Sequence, residues 1–175
     1  MLKAVENDTS GKGYCGPTVV ASITGMPLSK VLDAFRDVRY GVGWQRRFRR
    51  KPRIAGTSTS EVQQVLRTLG WVTTLIDSLP EDDPPTLARW LREHPAEGRR
   101  AIFILCVKSR PGHWVVVSGQ QLCDTHTRGK PVNLSDAPHR RARVHKAFRV
   151  EQRVNALPAH VIRQRAVLGE RWWGQ

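Results

Sequence analysis

The chain has 175 residues, 39% of them hydrophobic, with 29 Lys and Arg against 15 Asp and Glu for a formal net charge of +14. That size and apolar content suit one core and exclude a disordered chain, and no run approaches the roughly 20 apolar residues of a membrane span. Three widely spaced cysteines exclude a disulfide framework and point to a reducing compartment, while Met1 to Asp8 lacks the apolar centre of a signal peptide, so a cytoplasmic protein is expected. The charge attracts nucleic acid or an acidic protein surface and does not choose between them.

The first informative stretch is Gly13-Tyr14-Cys15-Gly16-Pro17-Thr18, followed by the apolar run Val19 to Ile23 and Gly25. Pro17 suits a first helical turn and Gly25 a left-handed cap, so Cys15 is expected at a helix N-terminus. Unpaired N–H groups and the positive end of the helix dipole favour a thiolate there. A small buried core thiol is the competing reading. Pro27 opens a second helix, with Leu28, Val31, Leu32 and Phe35 on one face.

Arg46, Arg47, Arg49, Arg50, Lys51 and Arg53 form a basic segment without apolar periodicity, read as an exposed loop. Trp44 and Phe48, interleaved with it, are candidates for stacking on bases or on an aromatic partner. Ser58 and Glu61 have capping-box spacing, Val62, Val65, Leu66 and Leu69 make a buried stripe, and Gly70 ends the helix. Residues 71–76 read as a strand, and Thr86 caps a short helix carrying Leu87, Trp90 and Leu91.

From Ala101 the pattern turns to buried strands. Residues 101–107, 113–118 and 121–125 make a three-stranded antiparallel meander, with His113 opening its middle strand and Asp124 towards the end of its last. Such neighbours allow a carboxylate to orient an imidazole. His126 is a weaker candidate for the base and Asn133 for the orienting group; His94, His139, His145 and His160 read as surface residues. The spacing of Cys and His matches no metal motif, so neither a metal nor another cofactor is expected, and Cys106 and Cys123 read as buried strand thiols. Residues 136–175 read as a basic extension docked on the domain formed by residues 1–135 or on a partner. Val144, Ala147, Phe148 and Val150 would add an edge strand, residues 161–168 a weak helix, and Trp172-Trp173 a plug or a partner anchor.

Helices first, with Cys15 heading one, then an antiparallel sheet carrying His113 and Asp124, resembles the papain-like cysteine peptidases. Tyr14 to Thr18, Ile23-Thr24-Gly25-Met26-Pro27, Gly112-His113-Trp114-Val115-Val116-Val117 and Cys123-Asp124-Thr125 resemble, more closely, the small C39-like peptidases and their phage-encoded relatives, over about residues 7–127. The resemblance implies an α+β papain-like fold in which helices pack on a C-terminal sheet. It implies that Cys15 attacks a carbonyl carbon, that His113 holds the thiolate and protonates the leaving group, and that Asp124 fixes the imidazole. It also implies a second oxyanion donor, usually glutamine, six residues before the nucleophile; Thr9 stands there, with Asn7 and Ser10 as nearby substitutes. The expected activity is hydrolysis of a peptide or amide bond in a peptide or protein substrate. The rival expectations are a catalytically weak scaffold within a larger assembly such as a phage particle, and a basic nucleic-acid-binding protein.

Overall fold

A computed structural model describes residues 1–11, 14–77, 82–96, 98–107 and 112–153. Among the described residues are five α-helices and a six-stranded sheet: α1 (Cys15–Thr24), α2 (Leu28–Tyr40), α3 (Trp44–Arg47), α4 (Thr59–Thr68), β1 (Trp71–Asp77), α5 (Leu87–Glu93), β2 (Ile102–Val107), β3 (His113–Ser118), β4 (Gln121–Cys123), β5 (Val132–Asn133) and β6 (Val144–Gln152). The sheet order is β1-β6-β2-β3-β4-β5, and every neighbouring pair is antiparallel.

The local signals act as their chemistry requires. Gly25, at φ 71°, closes α1 by donating its N–H to Ala21 O. Ser58 and Glu61 bond reciprocally at the head of α4, and the Thr86 side chain accepts from Arg89 N at the head of α5. The apolar stripes of α1, α2 and α4 pack on Ile104, Trp114, Val116, Phe148 and Val150, forming a core on one face of the sheet. Alternate residues of the same strands, Phe103, Leu105, Val115, Val117 and Ala147, meet Leu87, Trp90 and Leu91 of α5 on the other. Burial on both faces explains why β2 and β3 read as unbroken apolar runs.

Three expectations are corrected. β6 is not an edge strand: it lies between β1 and β2, beyond the expected 135/136 boundary yet hydrogen-bonded into the same sheet. Its charges misled because α5 covers only part of the second face, so Arg149 and Glu151 pair at 2.7 Å on the uncovered part. The basic loop begins as helix α3, and Trp44 is buried at 1% exposure with the Arg36 guanidinium 5.3 Å from its ring centroid, so it offers no surface for stacking on a base. Phe48 leans on Tyr40 at 5.1 Å between ring centroids. Asp124 follows β4 and begins a turn rather than ending a strand. The expected helix at residues 161–168 and Trp172-Trp173 lie outside the described residues.

Candidate active site

Cys15 is the first residue of α1, with extended Tyr14 as its N-cap. The first intrahelical acceptor in this turn is Tyr14 O, which takes Thr18 N at 2.9 Å, so the N–H groups of Cys15 and Gly16 face outward from the helix end. Gly16 is required by packing: a Cβ there would lie 2.1 Å from Thr57 Oγ1. Trp114 Nε1 donates to Thr57 O at 3.3 Å, which fastens the segment preceding α4 to the head of β3 and brings α1 onto that strand.

His113 opens β3, and its Nε2 lies 2.8 Å from Asp124 Oδ2; the His113 side chain is 9% exposed and that of Asp124 0%. The Cys15 thiol is electrostatically coupled to the same imidazole. Asp124 is itself locked in a turn. Its Oδ1 accepts Thr127 N at 2.8 Å, its N–H donates to Thr127 Oγ1 at 3.1 Å, and its carbonyl accepts Gly129 N at 2.9 Å. His113 and Asp124 are thus joined by a hydrogen bond, and Cys15, far from both in the chain, is coupled to the same imidazole.

Their electrostatics follow from this arrangement. Burial alone would raise the Cys15 pKa, but bonds from His113, from the Trp114 and Gly16 N–H groups, and the His113 charge outweigh it and hold the thiol below its ordinary range. Burial alone would lower the pKa of His113; hydrogen bonds and charges of Asp124 and Cys15 push it up from 6.5 to about 9. Burial would raise the Asp124 carboxyl, yet His113, Thr127 N–H and the nearby His126 keep it below the usual carboxylate range. Cys106 and Cys123 differ, since burial pushes both thiols up. The charged form of each favours the charged form of the other, so the shifts run in the direction of a thiolate–imidazolium pair.

The oxyanion candidates lie on a braced loop. Asp8 accepts from Ser29 N at 2.8 Å and from the Ser29 hydroxyl, tying the loop to α2, and Val5 N donates to Gly129 O at 2.8 Å, tying it to the Asp124 turn. Thr9 Oγ1 lies 2.7 Å from Asn7 Oδ1 and Asn7 Nδ2 donates to Gly11 O at 3.3 Å, so these two side chains bond within the loop. Ser10 is exposed beside them. This loop walls two cavities. One of about 910 Å³ is also lined by Thr125, His126 and Arg128, and the other, of about 880 Å³, by Tyr14, Arg36, Lys51 and Arg53.

Within the basic segment Arg53 donates to the Tyr14 hydroxyl and stacks on its ring, and Lys51 lies 3.6 Å from Asp33, while Arg46, Arg47, Arg49 and Arg50 are exposed. Asn133 is exposed and pairs with Gln121, which pairs with Ser118 at the end of β3 opposite His113, so it does not orient the imidazole. Three histidines read as surface residues are recessed: His94 stacks on Trp90 at 4.2 Å, His139 lies 5.3 Å from His113, ring to ring, and His145 is half-buried with its Nε2 inside. Sequence reasoning also missed Thr127, although a hydroxyl three residues after Asp124 has the spacing of a reciprocal, capping-box-like pair. The peptide N–H groups of Gly16 and Trp114 leave no sequence signal.

No protein-family model and no curated protein matches the sequence. Among solved structures, the chain is similar to the peptidase domain of Streptococcus ComA, a bi-functional ABC transporter involved in a quorum-sensing pathway. The TM-score is 0.50 at 16% identity, over 87% of this chain and all of that domain. The likeness is one of fold, and the chain has the α+β architecture of a C39-type, papain-like peptidase domain.

Proposed function

We propose that this protein is a cysteine peptidase or amidase in which Cys15 is the nucleophile, His113 the acid and base, and Asp124 the residue that positions His113. The supporting observation is the buried His113–Asp124 pair coupled to a half-buried Cys15 thiol at a helix N-terminus. The Cys15 thiolate attacks the carbonyl carbon of an amide, a C–S bond forms, and the oxygen takes the negative charge facing the Cys15 N–H. His113 gives its proton to the amide nitrogen, the C–N bond breaks, and the amine leaves. Neutral His113 then takes a proton from water, the hydroxide adds to the thioester carbonyl, and the Cys15 thiolate departs. A peptide carrying a thiol-reactive acyloxymethyl ketone tests this: the expected adduct is on Cys15 alone and is lost in His113→Ala. Labelling spread over all three cysteines would refute it.

A slower, scaffold-like protein is the second reading, favoured by Thr9 standing where the resemblance places glutamine and by its hydroxyl bonding within the loop. Losing one oxyanion donor costs about a hundredfold or more. In that reading the basic surface and an acidic partner carry the function.

A further inference from the structure

Three imidazoles converge at the head of β3, and the peptidase reading uses one of them. His113 heads β3, His126 lies in the turn after β4, and His139 in the turn before β6. Their ring centroids are 4.9 Å (His113–His126), 5.3 Å (His113–His139) and 4.2 Å (His126–His139) apart. One nitrogen from each ring lies within 4.8 Å of the other two. His139 Nε2 is buried without a hydrogen-bond partner among the described residues, an arrangement that carries a desolvation penalty. His139 also holds a left-handed backbone, φ 62°, which a residue with a Cβ adopts where its surroundings fix it. A ring that is recessed, unpartnered and held in an unfavourable backbone conformation beside two others has the features of a ligand set.

We propose that His113, His126 and His139 bind a divalent transition-metal ion of the zinc type, and that the ion holds Cys15 in an unreactive state. The second half rests on the peptidase reading; the binding itself does not. Imidazole selects zinc, copper or nickel over magnesium and calcium. Zn–N bonds of about 2.0–2.1 Å in a tetrahedron place ligand nitrogens about 3.4 Å apart, so the widest allowed pair closes by about 1.4 Å. His126 is exposed and its side chain has room to turn inward. Asp124 already holds Nε2 of His113, giving the carboxylate–histidine–metal arrangement that orients a ligand ring and leaves its other nitrogen for the ion. An ion there and an imidazolium proton beside the sulfur exclude each other.

Zinc chloride is the probe, and calorimetry on Cys15→Ala is the first measurement, because it removes binding by the thiolate itself. One ion per chain is expected, with a rise in Tm. His126→Ala, at an exposed position, and His139→Asn, which tolerates the left-handed backbone, are each expected to lose more than the about 10–100-fold in affinity that loss of an outer-shell partner costs. In the protein with Cys15 present, zinc is expected to slow alkylation of Cys15, and the slowing is expected to vanish in His126→Ala and His139→Asn. Absence of binding in Cys15→Ala overturns the site, as does wild-type affinity in both histidine variants. Undiminished alkylation of the zinc-loaded protein overturns the switch. Slow alkylation with and without zinc counts against the peptidase reading, whereas zinc binding in Cys15→Ala bears on the site alone.

Discussion

Replacing Asp124 by Asn perturbs the most buried member of the site in two separable ways. Both carboxylate oxygens are used, Oδ2 by His113 and Oδ1 by Thr127 N–H, each at 2.8 Å. An amide has one oxygen, so its NH₂ faces the other donor, and that unmatched buried donor costs about 1–3 kcal/mol at any pH. The second loss depends on pH. A rise of the His113 pKa from 6.5 to about 9 corresponds to roughly 3 kcal/mol, of which Asp124 supplies part and Cys15 the rest. A base with a raised folded pKa contributes its full stabilisation below 6.5 and loses it as pH climbs through about 9. The Asp124 carboxyl, depressed in the fold, contributes above its ordinary 3.8 and loses that contribution as pH falls further. The variant is therefore most destabilised between about pH 4 and 6.5, by about 2–5 kcal/mol, and by only the unmatched-donor cost near pH 9.5. Urea unfolding of both proteins across that range measures the difference. A destabilisation that stays constant from pH 6 to 9.5 refutes the charge coupling.

Other substitutions separate fold from site. Gly16→Ala forces its Cβ against Thr57 and is expected to cost about 1–3 kcal/mol in unfolding experiments, with partial recovery when Thr57→Ala is added. Thr127→Ala leaves Asp124 N without its acceptor and is expected to slow Cys15 alkylation, whereas Thr127→Ser, which keeps the hydroxyl, is not. Thr86→Ala removes the α5 cap, far from Cys15, and is expected to lower stability by about 1 kcal/mol in urea while leaving the alkylation rate unchanged. Thr9→Gln supplies a donor at the position that resembles an oxyanion hole; peptide cleavage is expected to rise by about tenfold or more, and no rise counts against an oxyanion role there.

Local chemistry was legible wherever one residue or a short period decides the outcome. Gly25, the Ser58–Glu61 box, the Thr86 cap and the 101–118 strands each announce their element, and they put Cys15 and His113 on the right elements. Long-range partners were not legible. β6 hides because its charges lie on the part of the sheet that α5 leaves open, and Trp44 hides because the arginines around it point outward while its ring goes in. His139 joins His113 only through the folding of residues 134–143 back against β3, which no spacing rule encodes. The three charge-bearing members of the candidate site were named in order from the sequence, and the Trp114 and Gly16 peptide groups that add to the effect of His113 on the sulfur were not.

The central claim concerns the state of one sulfur, and the pH dependence of its alkylation by iodoacetamide, resolved by mass spectrometry for Cys15, Cys106 and Cys123, tests it most directly. The account predicts fast labelling of Cys15 with an apparent pKa well below the roughly 8.5 of a free thiol, lost in His113→Ala, while the two strand thiols react slowly. Labelling of Cys15 with an ordinary thiol pKa, unchanged by His113→Ala, would contradict it.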